Sequence, residues 1–355
     1  MSGGLKVIAA GPGSTLQDRG RLGHQRFGVS TAGAADPLLL AASNALVGND
    51  AFEGAIEFTL VGDTLEVAAR SCRIAVTGDA ELTIDGQPHL PWTSHRLDQG
   101  QRLRVGALAT GARGYLAVAG GFDAAPVLGS VSTHLRSGLG GFTGTRLQPG
   151  DHLPLKLAEA PQEPERVLDP RRILDRSGVL RVVLGPQKSH FTEAGMATFL
   201  ESEFTVTAEA DRMGYRLDGP AIEHAGGFNI ISDGIPLGAI QVPGTGRPIV
   251  LLADRQTTGG YPKIACVIVP DVAALSQFRP GAKLRFRAVT VEEGTDAHRA
   301  FAELIGNLPA LVETAIPGGV LDSERLLSLN LIDGMVLAGK APDPPPLRMD
   351  RKDTP

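Results

Sequence analysis

Three short stretches set an aspartate beside an arginine, with glycine and other polar residues close by. They are Asp18-Arg19 in LQDRGRLG, Asp211-Arg212 in EADRMGYRL and Asp254-Arg255 in LADRQTTGGY. A planar guanidinium grips a carboxylate or phosphate through two parallel hydrogen bonds, and a neighbouring aspartate can hold it in place. Gln17, Arg21, Tyr215, Arg216 and Thr257 add donors within a few residues. The plainer reading of any single pair is an arginine bracing its own loop through backbone carbonyls. The threefold recurrence argues against that reading for all three at once.

The third stretch lies within LLADRQTTGGYPKIACVIVPD, residues 251–271. Apolar runs at 248–253 and 264–269 bracket a polar insert, which reads as a hairpin whose turn is made by Gly259 and Gly260. A turn needs little more than the glycines, so Asp254, Arg255, Gln256, Thr257, Thr258, Tyr261 and Lys263 become candidates to hold a ligand. The arginines would clamp an anion, Gln256 and the threonines would donate hydrogen bonds, and Lys263 would stabilise charge. Asp254 is the nearest general base. Upstream, GAIQVPGTGRP adds Gln241 just before a Pro-Gly turn.

Familiar catalytic signatures are missing. Lys263 in TTGGYPK is followed by Ile264, so it does not form a phosphate loop. GPGSTL at Gly11 lacks the third glycine of a dinucleotide fingerprint. His89 and His95 flank Trp92 without metal-ligand spacing, and no metal site is expected. Ser130, Ser132 and His134 in GSVSTH lack the nucleophile elbow and read as a polar turn bonding its own backbone.

The elements that must carry these residues are short. The chain has 355 residues, enough for two domains, with 45 glycines, 25 prolines and only 5% aromatics, a balance that favours many strands and tight turns. Its net charge of −5 argues against a general nucleic-acid binder but leaves room for an anionic small ligand at a local arginine cluster. The start, MSGGLKVIAAGPGS, does not read as a secretory signal, and no apolar run is long enough to span a bilayer. Cys72 and Cys266, far apart in strand-like sequence, read as reduced core residues, which points to the cytoplasm.

A turn-plus-strand phrase recurs as GDTLEV (62–67), GQRLRV (100–105), GDHLPL (150–155) and GAKLRF (281–286). The last two each follow a proline, which suggests two β halves that close alike. The expected division is a first β-barrel domain at 1–157, a proline- and charge-rich linker at 158–178, and a second barrel at 179–290. A helical extension at 291–339, with Phe301, Leu304 and Ile305 on one face, and a disordered tail at 340–355 follow. The few helices are marked by caps: Asp36, Pro37 and Gly48 around LLLAASNALV, a start near Ser189, and Asp271 as N-cap before VAALSQF.

Together TLQDRGRLGHQRFGVSTAGAAD, LGSVSTH, DRMGYRL and the whole of GAIQVPGTGRPIVLLADRQTTGGYPKIACVIVPD resemble the carboxyltransferase-type family. Its members include the second allophanate-hydrolase-like region of urea carboxylase, the KipA antagonist of a sporulation kinase inhibitor, and the C component of bacterial 5-oxoprolinase. The resemblance implies a mainly β fold, a tandem of cyclophilin-like β-barrel domains with a few short helices. It implies work alongside a KipI-like B component and a third lactam-utilisation subunit, with no nucleic acid or membrane partner. Because the sequence holds no biotin carboxylase or biotinyl region, the implied reaction is ATP-dependent opening of 5-oxoproline to glutamate, with Mg accompanying ATP. The alternatives are biotin-dependent carboxyl transfer to a urea-like or amide acceptor, and regulatory binding without turnover. On this reading Asp254, Arg255 and Lys263 are catalytic. Gln256, Thr257, Thr258, Gly259, Gly260, Tyr261, Gln241, Asp211, Arg212, Tyr215, Arg216, Asp18 and Arg19 bind substrate.

Overall fold

Strand-rich sequence with glycine turns leaves backbone groups that sheets satisfy, and sheets make up most of the regular structure among the described residues. A computed structural model describes residues 3–174 and 177–315. In the first half, a six-stranded sheet runs in the order His152–Pro154, Gly4–Ala9, Thr64–Val67, Arg102–Leu108, Ala80–Ile84, Gln87–His89. A five-stranded sheet follows the order Thr15–Gln17, Ala55–Thr59, Arg113–Val118, Ser71–Thr77, Ser94–Asp98. Their facing sides share one core that includes Leu5, Leu16, Phe58, Ile74, Leu103 and Leu153. Single bridges, Thr59 to Val61 and Val61 to Ala107, join the two sheets.

The outer side of the five-stranded sheet is covered by helix α1, Pro37–Val47. LLLAASNALV is apolar except for Ser43 and Asn44, which bond the Leu40 and Glu53 carbonyls, so it can be buried on every side. It packs on Ala75, Tyr115 and Ala117 and also meets Phe301, Ile305 and Leu308 of helix α4, Val291–Leu311. The Asp36 carboxylate accepts from Leu38 N and Leu39 N at 3.1 and 3.2 Å and from Gln277 Nε2 at 2.7 Å. Gly48 ends the helix at φ +78°, as its position in the sequence predicts. Asp36→Ala is expected to cost about 1–2 kcal/mol, read as a lower urea midpoint at unchanged slope.

The second half is a closed seven-stranded barrel. Around it run Val179–Leu184, Lys263–Val267, Ala239–Gln241, Ile249–Leu251, Gly214–Asp218, Phe204–Ala210 and Lys283–Ala288. The last strand pairs antiparallel with Phe204–Ala210 and parallel with Val179–Leu184, which closes the ring. Leu180, Val182, Phe204, Tyr215, Ile240, Val250 and Phe286 fill its interior. Leu65, Leu103, Leu153 and Leu284, the leucines of the recurring phrase, are all at most 1% exposed. The mainly β class holds, with four α-helices among the described residues.

Two helix starts differ from expectation. Helix α2 is Glu193–Glu201, capped by Thr192, whose hydroxyl accepts from Gly195 N at 2.9 Å; Ser189 lies in a separate tight turn, Lys188–His190. Helix α3 is Val269–Leu275, with Ile268 as its N-cap. Asp271 sits inside its first turn because Arg181 claims the carboxylate, donating from N at 2.6 Å and from Nη2 at 2.6 Å. Helix α4 begins at Val291, behind a capping box made by Thr290 and Glu293.

The stretch at 158–178 is packed along much of its length. Arg166–Val167 pairs with Glu313–Thr314, and Leu168 and Ile173 join the core between α1 and α4. Residues 316–339 of the expected extension and the tail at 340–355 lie outside the described residues. Cys72 is buried, with its thiol pushed up to about 12 by that burial, while Cys266 is half-buried; neither is bridged. Among the described residues no helix is long and apolar enough to cross a membrane.

Candidate functional site

The insert between the apolar runs is not a hairpin turn. Strand Ala239–Gln241 lies between Ile249–Leu251 and Lys263–Val267 in the barrel, so the two runs are not partners and the insert must cross over a third strand. On its way Thr258–Gly259 pairs with Asp233–Gly234. Neither Gly259 nor Gly260 has the positive φ that a glycine-dependent turn needs. Gly259 is required for a different reason. A Cβ there would lie 2.7 Å from Gln241 Nε2 and 2.7 Å from Ile235 Cδ1, so its missing side chain lets the backbone close over Gln241.

Strand alternation sorts the surrounding side chains. Tyr215, Leu217, Ile240, Val250 and Leu252 point into the barrel, which leaves Gly214, Arg216, Gln241, Ile249 and Leu251 on the outer wall. On that wall the insert helps enclose a cavity of about 490 Å³. Five of the residues singled out in the sequence line it: Asp211, Arg216, Gln241, Gln256 and Tyr261. Gln241 is buried, and its amide makes one long contact, 3.5 Å to the Tyr261 carbonyl. Gln256 and the Tyr261 hydroxyl make no side-chain hydrogen bond among the described residues. Arg216 donates to Glu209 at 2.6 Å in an exposed ion pair that is readily exchanged for another anion. Asp211 is held in a turn, accepting from Met213 N and Gly214 N at 2.7 and 3.2 Å. One free amide, a second held by a single long contact, a phenol and one exchangeable guanidinium suit a small, neutral amide group that carries a carboxylate.

The other expected residues serve different ends. Arg212 is no open anion clamp. It donates to Asp254 at 2.9 and 3.0 Å, to Glu57 at 2.6 Å and to the Gly33 carbonyl at 2.6 Å. Glu57 also faces Arg113 at 3.5 Å and accepts from the Tyr115 hydroxyl at 2.6 Å and Ala35 N at 2.9 Å. This buried cluster joins residues of the first β half to the second. Burial alone would raise the Glu57 carboxyl, but Arg212 and Arg113, with the Ala35 and Tyr115 hydrogen bonds, hold it below its ordinary value. Asp254, committed to Arg212, is not placed as a free general base.

Tyr215 points inward, donating to the Ser276 carbonyl at 3.1 Å, because its strand position faces the core. Lys263 is buried and pairs with Asp233 at 2.8 Å, which draws the Asp233 carboxyl below its usual range. Thr257, Thr258, Gly259 and Gly260 form the strip beside the cavity without lining it. Asp18 accepts from Ser132 Oγ, from Ser130 Oγ at 2.6 Å and from Val131 N at 2.8 Å. The Ser130 and Ser132 hydroxyls therefore answer a distant aspartate and not only their own turn. Arg19 and Arg255 line a second cavity that shares no residue with the first.

Sequence reasoning passed over Glu57, Arg113, Glu209, Asp233 and Gln277. Glu57 and Arg113 sit in apolar strand sequence, where an isolated charge signals a buried partner. Gln277 donates to Asp36 and accepts from Ala112 N and Arg113 N at 3.2 Å, a role set wholly by tertiary contact.

Comparison with known proteins gives a consistent answer. A family model, the carboxyltransferase domain, subdomain A and B, matches residues 27–288. The chain is 37% identical to the C component of the 5-oxoprolinase of Escherichia coli, over 86% of this chain and 98% of that one. It is 38% identical to the corresponding 5-oxoprolinase component of Haemophilus influenzae, over 81% of this chain and 91% of that one. Among solved structures, the K. lactis urea amidolyase superposes with a TM-score of 0.81 at 26% identity, over 87% of this chain. This chain spans only 20% of that larger enzyme. The match to 262 consecutive positions, from 27 to 288, and the identity to two 5-oxoprolinase components along nearly their whole lengths make the chain a member of the carboxyltransferase domain family, subdomains A and B.

Proposed function

We propose that this chain is one component of an ATP-dependent 5-oxoprolinase and that the cavity on the outer barrel wall holds the lactam. The observation that carries the reading is the meeting of Gln241, Gln256, Tyr261 and Arg216 around one space of lactam-compatible size. The likeness to the C components of two 5-oxoprolinases supports it. A lactam presents one N–H and one C=O side by side, which two amide side chains match. Its carboxylate would take Arg216 from Glu209. As the ring carbonyl is attacked or activated, negative charge gathers on its oxygen, and fixed amide donors stabilise that charge more than they stabilise the ground state.

The cavity does not fit ATP. Its one cation among the described residues, Arg216, is already paired, and Glu209 and Asp211 would repel a triphosphate. On this reading the nucleotide and its Mg are held by the KipI-like B component or the third subunit, and the present chain binds and polarises the lactam. The general base is not assigned to this chain, since Asp254 is tied to Arg212.

The direct test is 5-oxoproline-dependent ATP hydrolysis by the assembled subunits. Stimulation only when this chain is present supports the reading; complete assembly without turnover sinks it. Gly259→Ala gives a finer check. The added methyl displaces the Gln241 amide, so KM for 5-oxoproline is expected to rise about tenfold with little loss of folding stability.

The family match and the fold shared with urea amidolyase favour a second reading, biotin-dependent carboxyl transfer to a urea-like or amide acceptor. Amide donors would serve that acceptor as well. Carboxylation of urea, and not of 5-oxoproline, when a carboxylated biotin carrier is supplied would select it.

A further inference from the structure

We infer that the second cavity is a binding site for a small organic carboxylate with an apolar body, separate from the lactam cavity. It encloses about 430 Å³ between the loop following Gln17, the turn at 252–255, α3 and α4. Its walls are mostly apolar, with Pro37, Phe52, Leu252, Val272, Phe301 and Ile305 among them. The basic side chains that line it are Arg19, Arg255 and, on α4, His298, and among the described residues no aspartate or glutamate does so.

Arg255 is the unusual member. It is 5% exposed, yet among the described residues it has no carboxylate partner. Nε donates to the Ile235 carbonyl at 3.1 Å, and Nη1 donates to the Leu252 carbonyl at 3.2 Å and to Thr31 Oγ1 at 3.4 Å. Nη2 has no partner among the described residues. Other buried arginines are matched by acids: Arg212 has Glu57 and Asp254, Arg113 has Glu57, and Arg73 has Glu165. Arg21 is the exception, but it is given to the Val127 and Ser132 carbonyls and lines neither cavity. A buried cation without a counter-charge is costly, and its own burial lowers the Arg255 pKa to about 10. An incoming anion supplies what the fold omits. Arg19 extends the same demand to the rim. It lies over the Phe52 ring at 5.4 Å and has no ion-pair partner among the described residues. The two guanidiniums mark where the carboxylate sits, and the apolar wall marks where the rest of the ligand goes. In a protein of net charge −5, a pocket without an acid among the described residues is selective by sign.

The test uses the full chain and two isosteric probes, phenylacetate and uncharged phenylacetamide, followed by calorimetric titration and thermal shift. Phenylacetate is expected to bind and phenylacetamide to bind at least about tenfold more weakly, the usual worth of a charge-assisted hydrogen-bond pair. Arg19→Ala, whose side chain is exposed and makes no hydrogen bond or ion pair among the described residues, is expected to weaken phenylacetate about tenfold at a melting temperature changed by no more than its Phe52 contact contributes. Ala302→Trp, which fills the cavity from α4, is expected to abolish binding. Equal binding of acid and amide overturns the proposal. So does binding that neither variant weakens, or no binding of phenylacetate at millimolar concentration. The readout is independent of lactam turnover, so its failure does not bear on the proposed activity.

Discussion

Arg212→Ala is expected to lose about 3–5 kcal/mol of stability, because it strands two carboxylates that are nearly excluded from solvent. Glu57 and Asp254 are 1% and 7% exposed, and Arg212 reaches both from an end that is itself 10% exposed. Equilibrium unfolding in urea measures the loss. A loss under about 1 kcal/mol would mean that water reaches the cluster freely. Replacing all four charges together, as Arg212→Met and Arg113→Met with Glu57→Gln and Asp254→Asn, is expected to return much of the loss, since no charge is then left to be desolvated.

The same cluster sets an acid limit. Glu57 is held below its ordinary value of 4.5, so its folded carboxylate contributes stability that is fully present above that pH. The contribution is lost as pH falls from 4.5 through the lower folded value. In Arg212→Ala the principal attraction is gone and burial dominates, which raises the carboxyl instead. Acidification through 4.5 then relieves the variant while it weakens the parent, and the gap between them is expected to close. A gap that widens in acid would contradict the assignment.

Gln256→Ala is expected to reduce kcat/KM of the assembled enzyme for 5-oxoproline by about 10²-fold, the usual loss on removing one fixed donor to a developing oxyanion. Because Gln256 is half-buried and makes no side-chain hydrogen bond among the described residues, folding stability is expected to change by under about 0.5 kcal/mol. The separation of the two effects is the informative point. Activity within twofold of the parent, with the protein folded and assembled, would remove Gln256 from the site and with it the lactam cavity as drawn.

Local chemistry made much of the scaffold legible. The cap residues around α1 and the glycine-led strands act within a few positions, so Asp36, Gly48 and the buried leucines of the recurring phrase could be read directly. The β-rich character of both halves followed from the same signals. What local chemistry could not supply was strand order. The runs at 248–253 and 264–269 look like hairpin partners until Ala239–Gln241, earlier in the chain, is found between them. Alternation then reassigns residues one by one: Arg216 to the cavity, Tyr215 to the core. The three Asp-Arg pairs illustrate the same limit. Their polar character was plain, but Arg212 is neutralised by Asp254 of another pair and by Glu57 from the other half, while Arg255 is left without an acid. Partners separated by 42 and 155 positions leave no trace in spacing.

Strand Lys283–Ala288 closes the second barrel against both Val179–Leu184 and Phe204–Ala210. During synthesis, those two strands emerge about 70 to 100 residues before the segment that covers their free edges. Until then the nascent half-barrel exposes unpaired backbone on both sides, the state most prone to pairing with another chain. The ribosome must release residue 288 before this half can become a closed unit, and chains terminated short of it are expected to be captured by holding chaperones or to precipitate.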